Sequence, residues 1–372
     1  MFSDIYKEYN FQEVAGRIAN PVLEEESRLR RLVQCDTGSL SLEDFMLLLS
    51  PAAGEHLETM AQTARSITHR RFGNTVLIYA PLYLSNECRS SCSYCGFSRE
   101  NIMPRITLTE DEVLREAAIL HKSGIRQILL LTGEDYRHTP VEYIASVSRK
   151  LRETFASISI EVYPLKEEEY AYLRECGVDG LTIYQETYNP DRYSEVHKRG
   201  MKKRMEYRLD CPDRAGSAGL RKMNIGALLG LSDAPAAEIF FLGLHARYLI
   251  KRYWRSHISV SLPRLRPAEG FPDVPVVSDR SYVQFLTALR LFLPDANLVV
   301  STRESAALRD NLSEICVTVM SAGSRTDPGG YSESGAKEQF AISDSRGVRE
   351  MQGAIEKRGK EAVFVDWSPL LK

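Results

Sequence analysis

The chain has 372 residues, with 48 basic against 50 acidic side chains and a formal net charge of -2. That balance excludes a dedicated nucleic-acid binder, which carries a strong basic excess, and the length supports a large core without disulfide staples. Seven cysteines, an odd count, do not fit a secreted disulfide framework. With no signal-type leader and no apolar run of roughly 20 residues, the reading is a cytoplasmic protein with no membrane or nucleic-acid partner.

Residues 1–74 read as helical. "SLEDFMLLLSP" opens on a serine cap and stops at Pro51, and "HLETMAQTARSITHRRFGN" repeats apolar positions at helical spacing up to Gly73. From residue 75 short apolar runs alternate with amphipathic ones. "TVLIYAPLYL" is a buried strand, and "TEDEVLREAAILHKSG" is a helix capped by Thr109 and ended by Gly124. Further strands are expected at "IRQILLLTGE", "SISIEVYPL", "DGLTIYQET", "KMNIGALLGL", "HISVSLPRL", "NLVVSTRE" and "EICVTVM", with helices between them. About eight such steps predict a parallel (β/α)8 TIM-type barrel over 75–320. An open doubly wound sheet is the alternative, but no GxGxxG follows the first strand. Residues 321–372 read as a Gly/Ser-rich looped segment, a short helix and a closing strand "EAVFVDW" packed on the barrel.

Three cysteines, Cys88, Cys92 and Cys95, fall in the loop that follows the first strand, spaced Cys-x3-Cys-x2-Cys. Loops after barrel strands gather at the face where active sites form. Three soft thiolates suit an iron–sulfur cluster or zinc. Structural zinc wants a fourth close ligand, and neither His69 nor His121 sits at zinc-finger spacing. Buried free thiols or a redox switch are the remaining reading. Cys35, Cys176, Cys211 and Cys316 lack a neighbouring thiol and read as structural.

The cysteine motif, with aromatic Tyr94 before the last thiol, resembles the signature of radical S-adenosylmethionine enzymes. "CSYCGF", "LLLTGE", "YQETY", "PDRAG", "GALLGLSD", "STRES" and "PGGY" are similar to the aromatic amino-acid lyase branch, the tyrosine lyases of thiazole biosynthesis above all. The likeness runs from about residue 40 onward. It implies a [4Fe–4S] cluster on Cys88, Cys92 and Cys95, with one iron left to chelate S-adenosylmethionine. It also implies Tyr94 near the adenine, and Thr132, Gly133 and Glu134 as the turn that binds the cofactor's amino group. A strand-to-helix turn that needs Gly133 for its backbone angles is the plain alternative. Glu161 is a carboxylate in an apolar strand, costly unless paired, and is read as meeting the cofactor's polar groups or a structural cation. Tyr184 and Gln185, with Glu186, are cleft-facing candidates at the end of the fourth strand. Arg303 is implied to clamp the substrate carboxylate with two parallel hydrogen bonds, the alternative being a bridge to Glu304. Tyr83 and Ser321 are implied to contact the substrate's amino end. Arg264 and Arg266 bind an anion or pair with wall acids. The basic run "HKRGMKKRMEYR" reads as a solvated loop and helix start, with a lid or a face for an acidic partner as the other reading.

The implied reaction is cleavage of L-tyrosine between Cα and Cβ. A deoxyadenosyl radical takes a hydrogen atom from the amine, and the side chain leaves as a 4-oxidobenzyl radical that is reduced to p-cresol. The other product, 2-iminoacetate, hydrolyses in water, so a dry cavity should protect it. The resemblance further implies thiazole synthase as recipient and a flavodoxin- or ferredoxin-type protein as external one-electron reductant. The rivals are a tryptophan lyase, the tyrosine lyase of hydrogenase maturation and a non-catalytic iron–sulfur scaffold. The maturation enzyme carries a second three-cysteine cluster in a C-terminal extension, whereas here Cys316 is the only cysteine after Cys211. A bare scaffold would leave "LLLTGE" and "STRES" unexplained.

Overall fold

Apolar strands that alternate with amphipathic helices must bury both faces, and the chain does so by closing on itself. The structure, a computed structural model, describes residues 1–21, 26–36, 39–267, 276–332 and 336–366. Eight parallel strands form the barrel: β1 (Thr75–Ser85), β2 (Gln127–Thr132), β3 (Ser157–Glu161), β4 (Gly180–Glu186), β5 (Lys222–Ala227), β6 (His257–Ser261), β7 (Asn297–Val300) and β8 (Val319–Ser321). Each pairs with its sequence neighbour, and β8 closes the ring on β1 through Leu77↔Val319 and Tyr79↔Ser321. This is a TIM-type (β/α)8 barrel, so the strand ends and the loops after them share one face. A further strand, Glu361–Val363, pairs with the start of β1 at the opposite end.

The helix predicted after the cysteine loop spans Glu110–Ser123. Thr109 accepts from the Glu112 amide, the Glu112 carboxylate returns the bond, and Gly124 ends the helix at φ 109°. Two expectations shift. Pro51 does not only stop a helix but starts the next, Pro51–Gly54, because proline suits a first helical position. "EICVTVM" is strand only at its end, since Ile315 still closes the helix Ala306–Ile315.

The N-terminal helices buttress the barrel's flank. They lie on the helices Pro235–Arg252 and Asp279–Phe292. Phe45 stacks on Phe292 with centroids 4.0 Å apart, and Phe2 stacks on His245 at 3.8 Å. Each buried aromatic of this kind contributes about 1.5–3 kcal/mol. Gly243 makes the fit possible, because a Cβ there would stand 2.4 Å from the Phe45 ring.

Candidate active site

The cysteine loop is shaped by two polar side chains. Asn86, fully buried at the end of β1, accepts from the Ile106 amide at 2.7 Å and donates to the Pro104 carbonyl at 3.0 Å. Arg105 reaches back across the loop and donates to the carbonyls of Asn86, Phe97, Ser98 and Asn101 at 2.7–3.2 Å. One guanidinium thus serves four acceptors, of which the Ser98 carbonyl also accepts from the Asn101 amide at 3.0 Å. Sequence reading passed over Arg105, and its only signal was a lone cation in "NIMPRITL". The outer part of the loop is zipped to the basic run, Ser91–Cys92 pairing antiparallel with His197–Arg199.

Gly133 packs beneath this loop. A Cβ there would meet the Glu87 carbonyl oxygen at 2.1 Å. Its φ is not positive, so the turn needs glycine for close approach and not for backbone angle, which corrects the plain alternative given above. Glu134 beside it is already engaged. It accepts from Arg208 at 2.8 Å and from the Ser90 hydroxyl at 3.0 Å.

The basic run is not a solvated loop. Lys198, Arg199, Lys203 and Arg204 face outward, but Lys202 and Arg208 turn inward. Lys202 bonds Glu186 at 2.6 Å, and Arg208 joins Glu134 to Glu186, with Nη2 3.8 Å from Glu186. Burial alone would lower the Lys202 ammonium, but Glu186 overrides it and keeps the group charged. The helix start is as read, at Met205–Leu209, but the run is not wholly solvated because the acids that draw Lys202 and Arg208 inward come from strand ends elsewhere in the chain. Glu186 itself has φ 71°, the only positive φ outside glycine among the described residues, at a point where the β4–β5 register slips. Such backbone persists where its surroundings hold it, and the Lys202 bond does so here.

These elements enclose a cavity of about 110 Å³ at the β-strand C-terminal face. Tyr83, Tyr94, Cys95, Glu161, Tyr184, Arg303 and Ser321 all line it, joined by Lys202, Glu186, Gln339 and Phe340. Cys88, Cys92, Thr132, Gly133, Glu134 and Gln185 lie outside its wall, Cys88 and Cys92 on the cysteine loop and the rest at the ends of β2 and β4. Tyr94 meets the buried His197 at 2.8 Å. Burial and the cations Lys202 and Arg208 drop His197 to about 2, so its ring is neutral. Its Nδ1 donates to the Tyr193 carbonyl at 2.9 Å, which leaves Nε2 to accept from the Tyr94 hydroxyl.

Two charged groups in the cavity are uncommitted. Arg303 lies over the Phe340 ring, 3.4 Å from its centroid, with no side-chain hydrogen bond to another described residue. Glu304 does not take it, because Arg264 and Arg266 hold that carboxylate, and Arg264 also bonds Asp279 at 2.7 Å. Arg264 is therefore a wall cation. Glu161 has no hydrogen-bonded partner among the described residues either, and burial followed by the Glu186 carboxylate pushes it up to about 7. Leu129, Leu131, Leu228 and Leu265 supply an apolar wall between such groups. A site where, among the described residues, one cation and one carboxylate have no hydrogen-bonded partner and the walls are aromatic and aliphatic suits an amino acid with an apolar side chain.

The residues present fit a cluster and a nucleotide-bearing cofactor. The three thiols are free. Burial raises Cys88 to about 11 and raises Cys92 and Cys95 too, so a metal must displace their protons to bind. Close by, Thr132 Oγ1 and both amide atoms of Gln185 are buried with no hydrogen-bond partner among the described residues, the mark of polar groups that await a ligand.

A family model described as the Radical SAM superfamily matches residues 82–242, and one described as the Biotin and Thiamin Synthesis associated domain matches 261–361. The curated 2-iminoacetate synthase of Escherichia coli (strain K12) is 40% identical over 372 residues, covering 100% of this chain and 97% of the relative. That of Salmonella typhimurium (strain LT2) is 38% identical with the same coverage. Among solved structures, the FeFe-hydrogenase maturase HydG from Carboxydothermus hydrogenoformans superposes with a TM-score of 0.88 at 31% identity, over 98% of this chain and 85% of that one. Radical SAM proteins use a [4Fe–4S] cluster and S-adenosylmethionine, and the cysteine loop lies inside the matched span. The full-length likeness places this chain in the 2-iminoacetate synthase family of the Radical SAM superfamily.

Proposed function

We propose that this protein is a carbon–carbon lyase that cleaves L-tyrosine between Cα and Cβ to give 2-iminoacetate and p-cresol. The single observation that carries the reading is the cavity beside Cys95, where uncommitted Arg303 and Glu161 share one space with apolar and aromatic walls. That combination suits an aromatic amino acid beside the cofactor: a guanidinium fork for the substrate carboxylate, a carboxylate for the cofactor's ammonium, and a ring-sized apolar wall. The full-length likeness to the synthases favours thiazole supply over hydrogenase maturation.

In this reading Cys88, Cys92 and Cys95 hold the cluster. Tyr94, Thr132, Gly133, Glu134, Glu161, Tyr184 and Gln185 surround S-adenosylmethionine, and Tyr83, Arg303 and Ser321 hold the substrate. Held there, the cluster and S-adenosylmethionine would supply one-electron, radical chemistry that takes a hydrogen atom from tyrosine. The chain's own part is positioning. Arg303 fixes the carboxylate end, Glu161 meets an α-ammonium, and the inward Lys202 and Arg208 tie the basic run over the cavity to exclude water.

Segments 1–74, 75–320 and 321–372 act as buttress, catalytic barrel and cover. Thiazole synthase is the proposed recipient of the unstable product, and a flavodoxin- or ferredoxin-type protein the proposed electron donor. The free thiols support a reducing, cytoplasmic setting, and no described helix is long and apolar enough to cross a membrane. Anaerobic incubation of the reconstituted protein with reductant, S-adenosylmethionine and either tyrosine or tryptophan tests the reading. Cresol from tyrosine is expected. Deoxyadenosine without cresol would reject tyrosine as the substrate.

A further inference from the structure

Gln339 stands where the C-terminal segment crosses the cysteine loop. Its Nε2 donates to Cys95 Sγ at 3.7 Å, and its Oε1 accepts from the Tyr83 hydroxyl at 2.7 Å. The segment is pinned on both sides of this contact. The Gln339 amide donates to the Thr326 carbonyl at 2.9 Å, and the Thr326 hydroxyl donates to the Phe340 carbonyl at 3.1 Å. The loop makes room for it. A Cβ at Gly96 would stand 2.5 Å from the Gln339 carbonyl oxygen, so the residue after the third thiol must be glycine for the segment to lie this close. The cavity reading of the function uses none of these contacts.

We propose that Gln339 is a positioning residue that raises the reduction potential of the cluster held by Cys95 and, through Tyr83, ties that potential to the substrate cavity. One-electron reduction by a low-potential donor adds a negative charge shared by the cluster and its thiolate sulfurs. An N–H aimed at one of those sulfurs favours the more negative state, and hydrogen bonds to the sulfurs are among the levers that set such potentials. The Tyr83 hydroxyl decides which end of the amide faces the sulfur. Because it donates to Oε1, the NH2 group is left to point at Cys95. The inference rests on the cluster reading of the three cysteines and is independent of which amino acid is cleaved.

The test is a potential, read without substrate. Gln339→Met keeps the length of the side chain and removes its donor. After loading, iron and sulfide are counted and the cluster is titrated under electron paramagnetic resonance. At equal iron content, the variant's reduction equilibrium is expected to fall by about tenfold, which is about 59 mV for a one-electron couple. Tyr83→Phe should move it the same way by less. An unchanged midpoint in the loaded Gln339→Met protein overturns the proposal. Should that variant fail to load, wild-type protein labelled with nitrogen-15 at the glutamine side-chain amide decides. A weak nitrogen coupling to the reduced cluster supports the contact, and its absence overturns it. A wild-type chain that binds no cluster refutes the cluster reading and this inference together, whereas a normal potential shift without tyrosine cleavage refutes only the proposed substrate.

Discussion

Replacing Glu161 by glutamine removes a carboxylate that the empty barrel holds at a cost. Burial, then Glu186, raises this acid from 4.5 to about 7. The sign follows from proton counting. Between those two values the native state keeps a proton that the unfolded chain has lost, so stability falls as pH rises through that window. In full the rise corresponds to about 3 kcal/mol near pH 8. Glu161 lines a cavity that admits water, and that screening lowers the figure to about 2 kcal/mol. Urea unfolding of the apo protein measures it, through midpoints compared at equal slope. Glu161→Gln should be more stable than wild type by about 2 kcal/mol near pH 8, and by only about 0.8 kcal/mol near pH 5. An equal gain at both pH values, or a loss near pH 8, would refute the reasoning, since it would mean that the carboxylate is satisfied in the empty site. The same variant should bind S-adenosylmethionine more weakly, because the charge disfavoured in the empty cavity is the one the cofactor's ammonium needs.

Arg105→Met takes the guanidinium from four carbonyls, leaving Ser98 with the Asn101 amide, and the loop should open more easily by about 2–4 kcal/mol. Amide exchange across residues 86–101 and iron retention report it, and unchanged protection contradicts the clasp. Gly133→Ala drives a Cβ toward the Glu87 carbonyl at 2.1 Å. Iron incorporation should drop while the far-ultraviolet circular dichroism stays native; wild-type iron content would show that the loop yields freely. Gly243→Ala pushes against the Phe45 ring at 2.4 Å and should cost about 1–3 kcal/mol in urea unfolding, with no loss counting against the packing described. Arg303→Lys keeps the charge but loses the planar fork. Tyrosine affinity should weaken by about 2–4 kcal/mol in equilibrium binding while slow S-adenosylmethionine cleavage survives, and unaltered tyrosine affinity would remove Arg303 from the substrate site.

What was legible in the sequence was local. The Thr109 cap, the Gly124 stop and the spacing of Cys88, Cys92 and Cys95 each depend on neighbours a few residues away, and the structure places all of them as read. The alternation of apolar strand and helix carried the barrel, because a buried parallel sheet leaves few other solutions. What was hidden depends on closure of the ring. Gln339 meets Cys95 across 244 residues, and Arg208 meets Glu134 across 74. A run such as "HKRGMKKRMEYR" looks solvated until the acids at the ends of β2 and β4 are brought to it. Arg105 was invisible for a related reason: its partners are backbone carbonyls, which no residue pattern reveals.

The central claim is tested most directly by the carbon balance of one anaerobic turnover with uniformly carbon-13-labelled L-tyrosine. The account predicts labelled p-cresol and labelled glyoxylate, the hydrolysis product of 2-iminoacetate, in equal amounts, together with 5′-deoxyadenosine, and none of them from Cys92→Ala. Label that leaves as any other fragment, or deoxyadenosine formed by a fully loaded cluster with tyrosine untouched, would contradict it.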